Sequence, residues 1–309
     1  MRGGFFLVAP RIRGAPLSTM FDPRLLIVAV VWGMNFSVVK FALGGFSPMS
    51  FTIARFSSAA LVLLAIMAIR RESFALERRD RMPVITLGLI GITFYNILFM
   101  YGLRYTSASH SALFISMSPL FAAIMQGIAG RERITRSTTA GLILASLGAY
   151  LIIRSRHGEI SFSSGNLSGD LLTICASVLW ALYTIKARPL LERYSPIKTT
   201  AYSIVAGTVL LLPFSTRELA GQSWSSISAG SWAALAFAAF IGGSMAYVLW
   251  YEGVCRIGVT RTIVYHYIVP FVAVVFAALV LSEEITLSTA AGGTAILSGV
   301  ALVQRKQHS

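Results

Sequence analysis

The sequence predicts an all-α integral membrane protein with ten transmembrane helices in two inverted five-helix repeats. Three observations predict this fold class: an apolar composition, a series of apolar runs of spanning length, and an internal duplication. Of the 309 residues, 56% are hydrophobic and only 12% are charged, whereas about a quarter of the residues of a soluble domain are charged. The chain is therefore expected to fold in lipid.

Apolar runs long enough to cross a bilayer recur along the chain. A spanning helix needs roughly 20 apolar residues. The runs are continuous rather than alternating, which predicts helices and not the strands of a barrel. The predicted spans, numbered 1 to 10, lie near residues 25–43, 49–69, 83–103, 109–129, 138–153, 169–186, 197–214, 231–251, 260–281 and 288–303.

The second half of the chain repeats the first. Within residues 102–148 the correspondence has a constant offset of 151 residues, so that Pro119 recurs as Pro270. Upstream the offset is 148 residues, and Trp32 corresponds to Trp180. A chain built from two similar halves is expected to fold as two similar units.

The distribution of basic residues predicts how these halves are oriented. Lys and Arg are concentrated in both tails and in alternate loops, so the positive-inside rule places both termini in the cytoplasm of a multi-pass protein of the cell (inner or plasma) membrane. The net charge of +14 therefore reflects membrane orientation, and no nucleic-acid partner is expected. Because five spans is an odd number, the second half enters the membrane from the opposite side.

The predicted organisation follows from these boundaries. Residues 1–20 form a basic cytoplasmic tail, with Met20 as an alternative start, and residues 305–309 form a second cytoplasmic tail. The first five-helix repeat is 21–156, the extracytoplasmic linker is 157–168, and the second five-helix repeat is 169–304.

Inverted repeats predict a function as well as a fold. They are the architecture of secondary transporters, whose substrate site lies near the bilayer midplane between the repeats and opens alternately to each side. An intramembrane transferase is an alternative, but it would need a nucleophile with a base or a cluster of carboxylates, and no such motif is evident. A channel would need a repeated ring of filter residues. We therefore expect a transporter and not an enzyme.

Polar and aromatic side chains at membrane depth are the candidates for substrate contact, because such groups are costly there. Arg55 could bind a substrate carboxylate or phosphate through its planar fork, or cap neighbouring helix carbonyls. His266 stands where the first half has Ile115; it could contact substrate or titrate, or it could donate to a carbonyl freed by Pro270. The predicted substrate-binding residues are Trp32, Asn35, Arg55, Asn96, Tyr101, Trp180, Tyr183, Tyr247 and His266.

The position of the acidic residues narrows the substrate class. All twelve carboxylates lie in loops or at helix ends, whereas an exporter that exchanges cations for protons normally needs an embedded acid. We therefore expect export of small metabolites, with amino acids or related amphipathic compounds favoured. Efflux of cationic drugs or quaternary ammonium compounds in exchange for protons is the alternative. No catalytic residue, metal site or cofactor is predicted, and the partners are a small-molecule substrate and the lipid bilayer.

Prolines and small residues predict moving and packing elements. Pro119 and Pro270 are expected to kink spans 4 and 9 and to act in gating. A stripe of small residues on span 5, echoed on span 10, predicts close helix packing and is a candidate oligomer surface. The protein is expected to be a monomer or a homodimer. The stripe residues are Gly141, Ala145, Gly148, Gly292 and Gly299.

Several motifs together resemble a known family. They are the segment 32–36 in span 1, Arg55 in span 2, the segment 101–108 leading into 118–120, and Pro270, Glu283, Gly292 and Gly299 in the second half. Over roughly residues 22–305 the chain resembles the drug/metabolite transporter superfamily, specifically its EamA-type ten-helix family. The usual Gly-Glu at the ends of spans 4 and 9 is Arg-Glu and Ser-Glu here. The resemblance implies export or exchange of metabolites, amino acids or drugs through a cavity lined by spans 1, 3, 4, 6, 8 and 9.

Overall fold

The structure is a computed structural model that describes residues 21–105, 114–130, 135–157, 167–281 and 287–304. Within these ranges the chain is helical and contains no strand. Both predicted tails, most of the predicted linker, and the acidic residues Glu132 and Glu283 lie outside the described residues.

Several helices are regular along their whole length. These are α1 (Pro23–Ala42), α2 (Pro48–Ile69), α4 (Ser118–Ile128), α5 (Arg136–His157), α6 (Leu167–Leu191), α7 (Pro196–Gly221) and α10 (Leu287–Gln304).

Three further helices change type along their length. Helix α3 comprises Arg78–Gly88, a π-helical turn at Leu89–Phe94, and Tyr95–Tyr105. Helix α8 comprises Ala229–Ala236, a π-helical turn at Phe237–Met245, and Ala246–Ile257. Helix α9 comprises Val259–Ile263, a 3₁₀ turn at Val264–Tyr267, and Ile268–Leu281.

Local sequence signals set where several helices begin. Asp22 accepts a hydrogen bond from the backbone N–H of Arg24 at the start of α1, and Ser195 accepts one from Lys198 at the start of α7. Each of these caps is followed by a proline in the first helical turn, where its missing N–H breaks no helical hydrogen bond. Ser47 precedes Pro48 in the same way at the start of α2.

Length and composition identify membrane-crossing helices among the described residues. Five helices are long and apolar enough to span a bilayer: Pro48–Ile69, Arg78–Gly102, Leu167–Leu191, Pro196–Gly221 and Ala229–Ile257. An all-α, multi-pass membrane class follows, because backbone groups in lipid must be paired within the helix. The count of ten spans and the inversion of the halves stay predictions.

The two halves pack against each other along their length. Helix α5 packs on α10, and α2 packs on α7. Other contacts follow the duplication. Helix α1 packs on α8 and α9, and its duplicate α6 packs on α3 and α4, which are the counterparts of α8 and α9. The interior therefore consists mainly of contacts between halves.

The small-residue stripe lies at the contact between α5 and α10. A Cβ added to Gly141 would lie 2.6 Å from the carbonyl oxygen of Gly299, and one on Gly148 would lie 2.6 Å from that of Gly292. Ala145 is buried at the same contact, where its Cβ would meet one on Gly299 at 2.9 Å. Glycine lets the two backbones approach closely. The stripe is therefore covered within the chain by the contact between α5 and α10.

The helical path of span 4 is interrupted just before Pro119. The chain makes a turn at Met117, and α4 begins at Ser118 with Pro119 in its first turn. Residues 114–116, before this turn, are helical as well, so the interruption lies inside the predicted span and the role of Pro119 in a kink stays a prediction. Pro270 lies just after the 3₁₀ turn of α9, so both prolines follow a change in helical geometry.

Adding a methyl group at the α5–α10 contact should destabilise the fold. We expect Gly148→Ala to cost about 1–3 kcal/mol, because the helices must separate to admit it, and to lower the thermal unfolding midpoint in detergent. Gly221→Ala is the matched control, since a Cβ there meets no atom within 4 Å. Equal midpoints for the two variants would contradict the close glycine contact.

Candidate functional site

A cavity lies between the two halves. The cavity and the space at its mouth amount to about 670 Å³. Spans 1, 3, 4, 6, 8 and 9 all contribute to its wall, and α2 adds Arg55. The lining residues are Trp32, Asn35, Val39, Arg55, Tyr95, Asn96, Phe99, Met100, Ile115, Trp180, Tyr247, His266 and Val269.

Arg55 is the charged group of this wall. The side chain is only 8% exposed, and its Nε donates to the carbonyl of Ala238 at 3.1 Å, in the π-helical turn of α8. The guanidinium carbon lies 5.0 Å from the ring centroid of Phe56. Among the described residues no carboxylate pairs with Arg55, and its two terminal nitrogens make no hydrogen bond. The bond to the Ala238 carbonyl therefore uses the Nε–H of Arg55 and leaves the two terminal nitrogens of the guanidinium available.

Aromatic rings around Trp180 form a large part of the wall. His266 stacks on its indole with centroids 5.4 Å apart and an interplanar angle of 19°. Trp32 and Tyr247 meet the same indole edge-on, at 5.2 Å and 5.7 Å. Such T-shaped and offset arrangements suit the quadrupoles of the rings. Residues from α1, α6, α8 and α9 are therefore joined in one cluster.

His266 ties α9 to the start of α4. A hydrogen bond of 2.8 Å joins its Nδ1 to the Oγ of Ser118. Among the described residues, Ser118 is the hydrogen-bond partner that the structure gives His266. At the offset of 151 residues His266 corresponds to Ile115 and Ser118 to Val269, so the duplicate pair is apolar. That apolar pair lines the cavity.

Two predicted substrate-binding residues do not line the cavity. Tyr183 is fully buried behind Trp180, with its hydroxyl 3.4 Å from the Oγ of Ser203. Its ring lies against Gly91, where a Cβ would come within 1.9 Å of it. Tyr101, near the C-terminal end of α3, packs against a second apolar cluster. The other seven predicted residues come together around the cavity.

Three lining residues of α3 were not predicted. Tyr95 and Phe99 stack with centroids 5.9 Å apart and planes 1° apart, and Met100 lies beside them in the wall. Their spacing of four residues is a helical signal that could have been noticed next to Asn96. All three lie with Asn96 in the regular helical segment Tyr95–Tyr105 that follows the π-helical turn.

The duplicated tryptophans have different partners. Trp32 donates from Nε1 to the carbonyl of Gly242 at 3.1 Å. The corresponding nitrogen of Trp180 is buried and has no partner among the described residues. Gly242 corresponds to Gly91 at the offset of 151 residues, but the ring of Tyr183 lies against Gly91. The two halves are therefore alike in backbone and different in hydrogen bonding.

Comparison with known proteins identifies the family. Residues 23–154 and 167–305 each match the EamA-like transporter family. The chain is 33% identical over 257 residues to "Uncharacterized transporter YyaM" of Bacillus subtilis (strain 168), covering 82% of this chain and 83% of that protein. A solved crystal structure with 18% identity has the same fold, with a TM-score of 0.79 over 91% of this chain and 94% of that one.

Two relatives carry more specific names. A "Probable terminal-alkyne amino-acid exporter" of Streptantibioticus cattleyicolor is 28% identical over 288 residues, 91% of this chain and 92% of that protein. An "S-adenosylmethionine/S-adenosylhomocysteine transporter" of Chlamydia muridarum is 30% identical over 197 residues, 62% of each chain. With both halves matching one family, the chain belongs to the EamA-like transporters of the drug/metabolite transporter superfamily and is a multi-pass membrane protein.

Proposed function

We propose that the protein is a secondary transporter that exports amino acids or related amphipathic metabolites across the cell membrane by alternating access, with both termini in the cytoplasm. The observation that carries the proposal is Arg55, a buried cation without a carboxylate partner among the described residues, in a cavity walled by aromatic rings. Taking a charge out of water costs several kcal/mol unless it is paired. A substrate carboxylate would supply that pairing.

The geometry of Arg55 suits a carboxylate. Its Nε is held by the carbonyl of Ala238, which fixes the plane of the guanidinium. Two terminal nitrogens remain for a bidentate bond to a carboxylate, which is stronger and more directional than a single neutral hydrogen bond. The rings of Trp32, Trp180 and Tyr247 provide an apolar wall for the rest of the molecule. A relative named as an amino-acid exporter supports the same substrate class.

Polar contacts between the halves are candidates for the contacts that break when the cytoplasmic side opens. The buried Asp80 of α3 forms an ion pair with Arg193 and accepts a hydrogen bond of 2.8 Å from the hydroxyl of Tyr194. Burial raises the pKa of the Tyr194 phenol above its ordinary value, so the phenol keeps its proton and remains a donor. Lys198 donates to the carbonyls of Ser73 and Ala75, both at 2.6 Å.

Loss of the guanidinium should abolish most transport of amino acids. In counterflow with reconstituted protein, we expect Arg55→Gln to reduce uptake of a labelled apolar amino acid about 10- to 100-fold, since two charge-assisted hydrogen bonds are lost. Arg217→Gln is the control, because Arg217 is exposed on α7. Unchanged counterflow in Arg55→Gln would refute the role of Arg55.

Permanent cations should be poor substrates. We expect no pH-driven export of a quaternary ammonium compound from proteoliposomes, because no Asp or Glu is among the described residues that line the cavity and cation/proton exchange normally uses an embedded acid. Robust pH-driven export, absent from protein-free liposomes, would favour the alternative of cationic drug efflux.

Removing the imidazole should impair transport more than removing its serine partner. His266→Phe keeps a ring stacked on Trp180 but deletes both nitrogens, and we expect counterflow to fall about tenfold, the equivalent of one lost hydrogen bond to substrate. Ser118→Ala deletes only the hydroxyl that Nδ1 contacts. Both variants are assayed near pH 5 and pH 8, on either side of the ordinary imidazole range. Equal rates for the two variants at both values would limit His266 to holding α4.

A further inference from the structure

The cavity contains an unpartnered acceptor beside the cation. Oδ1 of Asn35 is buried and has no hydrogen-bond partner among the described residues. It lies 3.0 Å from the point that a Cβ on Gly242 would occupy, and Nη2 of Arg55 lies 3.6 Å from that same point. Asn35 and Arg55 both line the cavity. A donor fork and a lone acceptor therefore converge over the backbone of Gly242.

The π-helical turn of α8 holds both groups in place. Trp32, three residues before Asn35 on α1, donates to the carbonyl of Gly242 at 3.1 Å. Arg55 on α2 donates from Nε to the carbonyl of Ala238 at 3.1 Å, in the same turn. The absence of a side chain at Gly242 lets Asn35 and Arg55 approach the turn this closely. The terminal guanidinium nitrogens and the Asn35 oxygen are the polar atoms that these contacts leave unused.

This pair of unused groups is the complement of an α-amino acid. In such a molecule a carboxylate, which only accepts hydrogen bonds, and an ammonium, which only donates them, are attached to one carbon. A carboxylic acid without the amino group could satisfy Arg55 but would leave Oδ1 of Asn35 buried without a donor. A site built to bond a substrate N–H rejects analogues that lack it for this reason.

We propose that Asn35 binds the α-ammonium group of the substrate, beside the carboxylate on Arg55, and thereby selects α-amino acids over carboxylic acids that lack the amino group. This inference rests on the proposed function and deepens it. Asn35 has a specificity role that its duplicate cannot share, because the corresponding residue is Tyr183, which is fully buried behind the cavity wall.

A structural alternative makes a different prediction. If Asn35 served only to hold the guanidinium in position, its loss would weaken every ligand that binds through a carboxylate. If it contacts the ammonium, its loss weakens amino acids alone. Ligand pairs that differ only in the amino group separate the two cases, namely phenylalanine with 3-phenylpropionate, and leucine with 4-methylpentanoate.

The experiment measures binding of both pairs to the purified full-length protein in detergent, by calorimetry. Of the two amino acids, we expect the wild type to bind the one with higher affinity about tenfold more tightly than the carboxylic acid that lacks its amino group. This difference corresponds to one hydrogen bond to a charged group. Asn35→Leu should bring the ratio of the two affinities close to one, because binding of the amino acid is weakened. The affinity for the carboxylic acid should stay within about twofold of the wild-type value. Arg55→Gln should weaken both members of the pair.

Control variants distinguish a failure of the proposed role of Asn35 from a failure of the proposed function. Gln126→Leu removes another buried amide, whose oxygen has no partner in the described part of the chain, at a position that does not line the cavity. This variant should leave both affinities unchanged. Thermal unfolding in the same detergent establishes that Asn35→Leu is folded. A ratio that survives in Asn35→Leu, or an equal loss for both ligands, would overturn the role of Asn35 alone. A wild type that binds neither amino acid, or binding indifferent to Arg55→Gln, would overturn the proposed function itself.

Discussion

Close approach between the two halves is the constraint on which the rest of the structure depends. In lipid the helices gain little from burying apolar surface, so their association relies on tight packing and on hydrogen bonds between them. Gly141 and Gly148 of α5 meet Gly299 and Gly292 of α10 at backbone contact. A similar contact joins α3 and α7, where Thr93 donates to a backbone carbonyl at 2.8 Å. The halves therefore hold each other, and the cavity is the space that this packing leaves unfilled.

The site depends on departures from regular helical geometry. The π-helical turns of α3 and α8 stand at corresponding positions of the duplication, and π-turns are frequent at functional sites. In α8 the turn offers the carbonyls of Ala238 and Gly242 to Arg55 and Trp32. The corresponding turn of α3 is covered by the ring of Tyr183. The π-helical turn therefore forms part of a polar site in the second half and part of the packed core in the first half.

Most of the residues predicted to contact substrate lie around one cavity, because polar groups at membrane depth are rare and stand out in the sequence. Seven of the nine predicted residues line the cavity, including Arg55 and His266. Tyr183 lies outside the cavity because an aromatic residue three positions after a tryptophan can equally well pack behind the wall. Tyr95 and Phe99 were missed because aromatic residues in an apolar run suit a lipid-facing surface as well as a cavity wall.

The sequence by itself determined the class of the protein: its apolar runs require helices in lipid, its duplication requires two similar halves, and the Ser-Pro pairs set where α2 and α7 begin. Only the tertiary structure decided which partners the polar groups meet. Pro119 follows a turn at Met117, and His266 bonds Ser118. The physical reason is that helix formation depends on near neighbours in the chain, whereas hydrogen-bond partners across helices depend on how closely the glycines let the two halves approach.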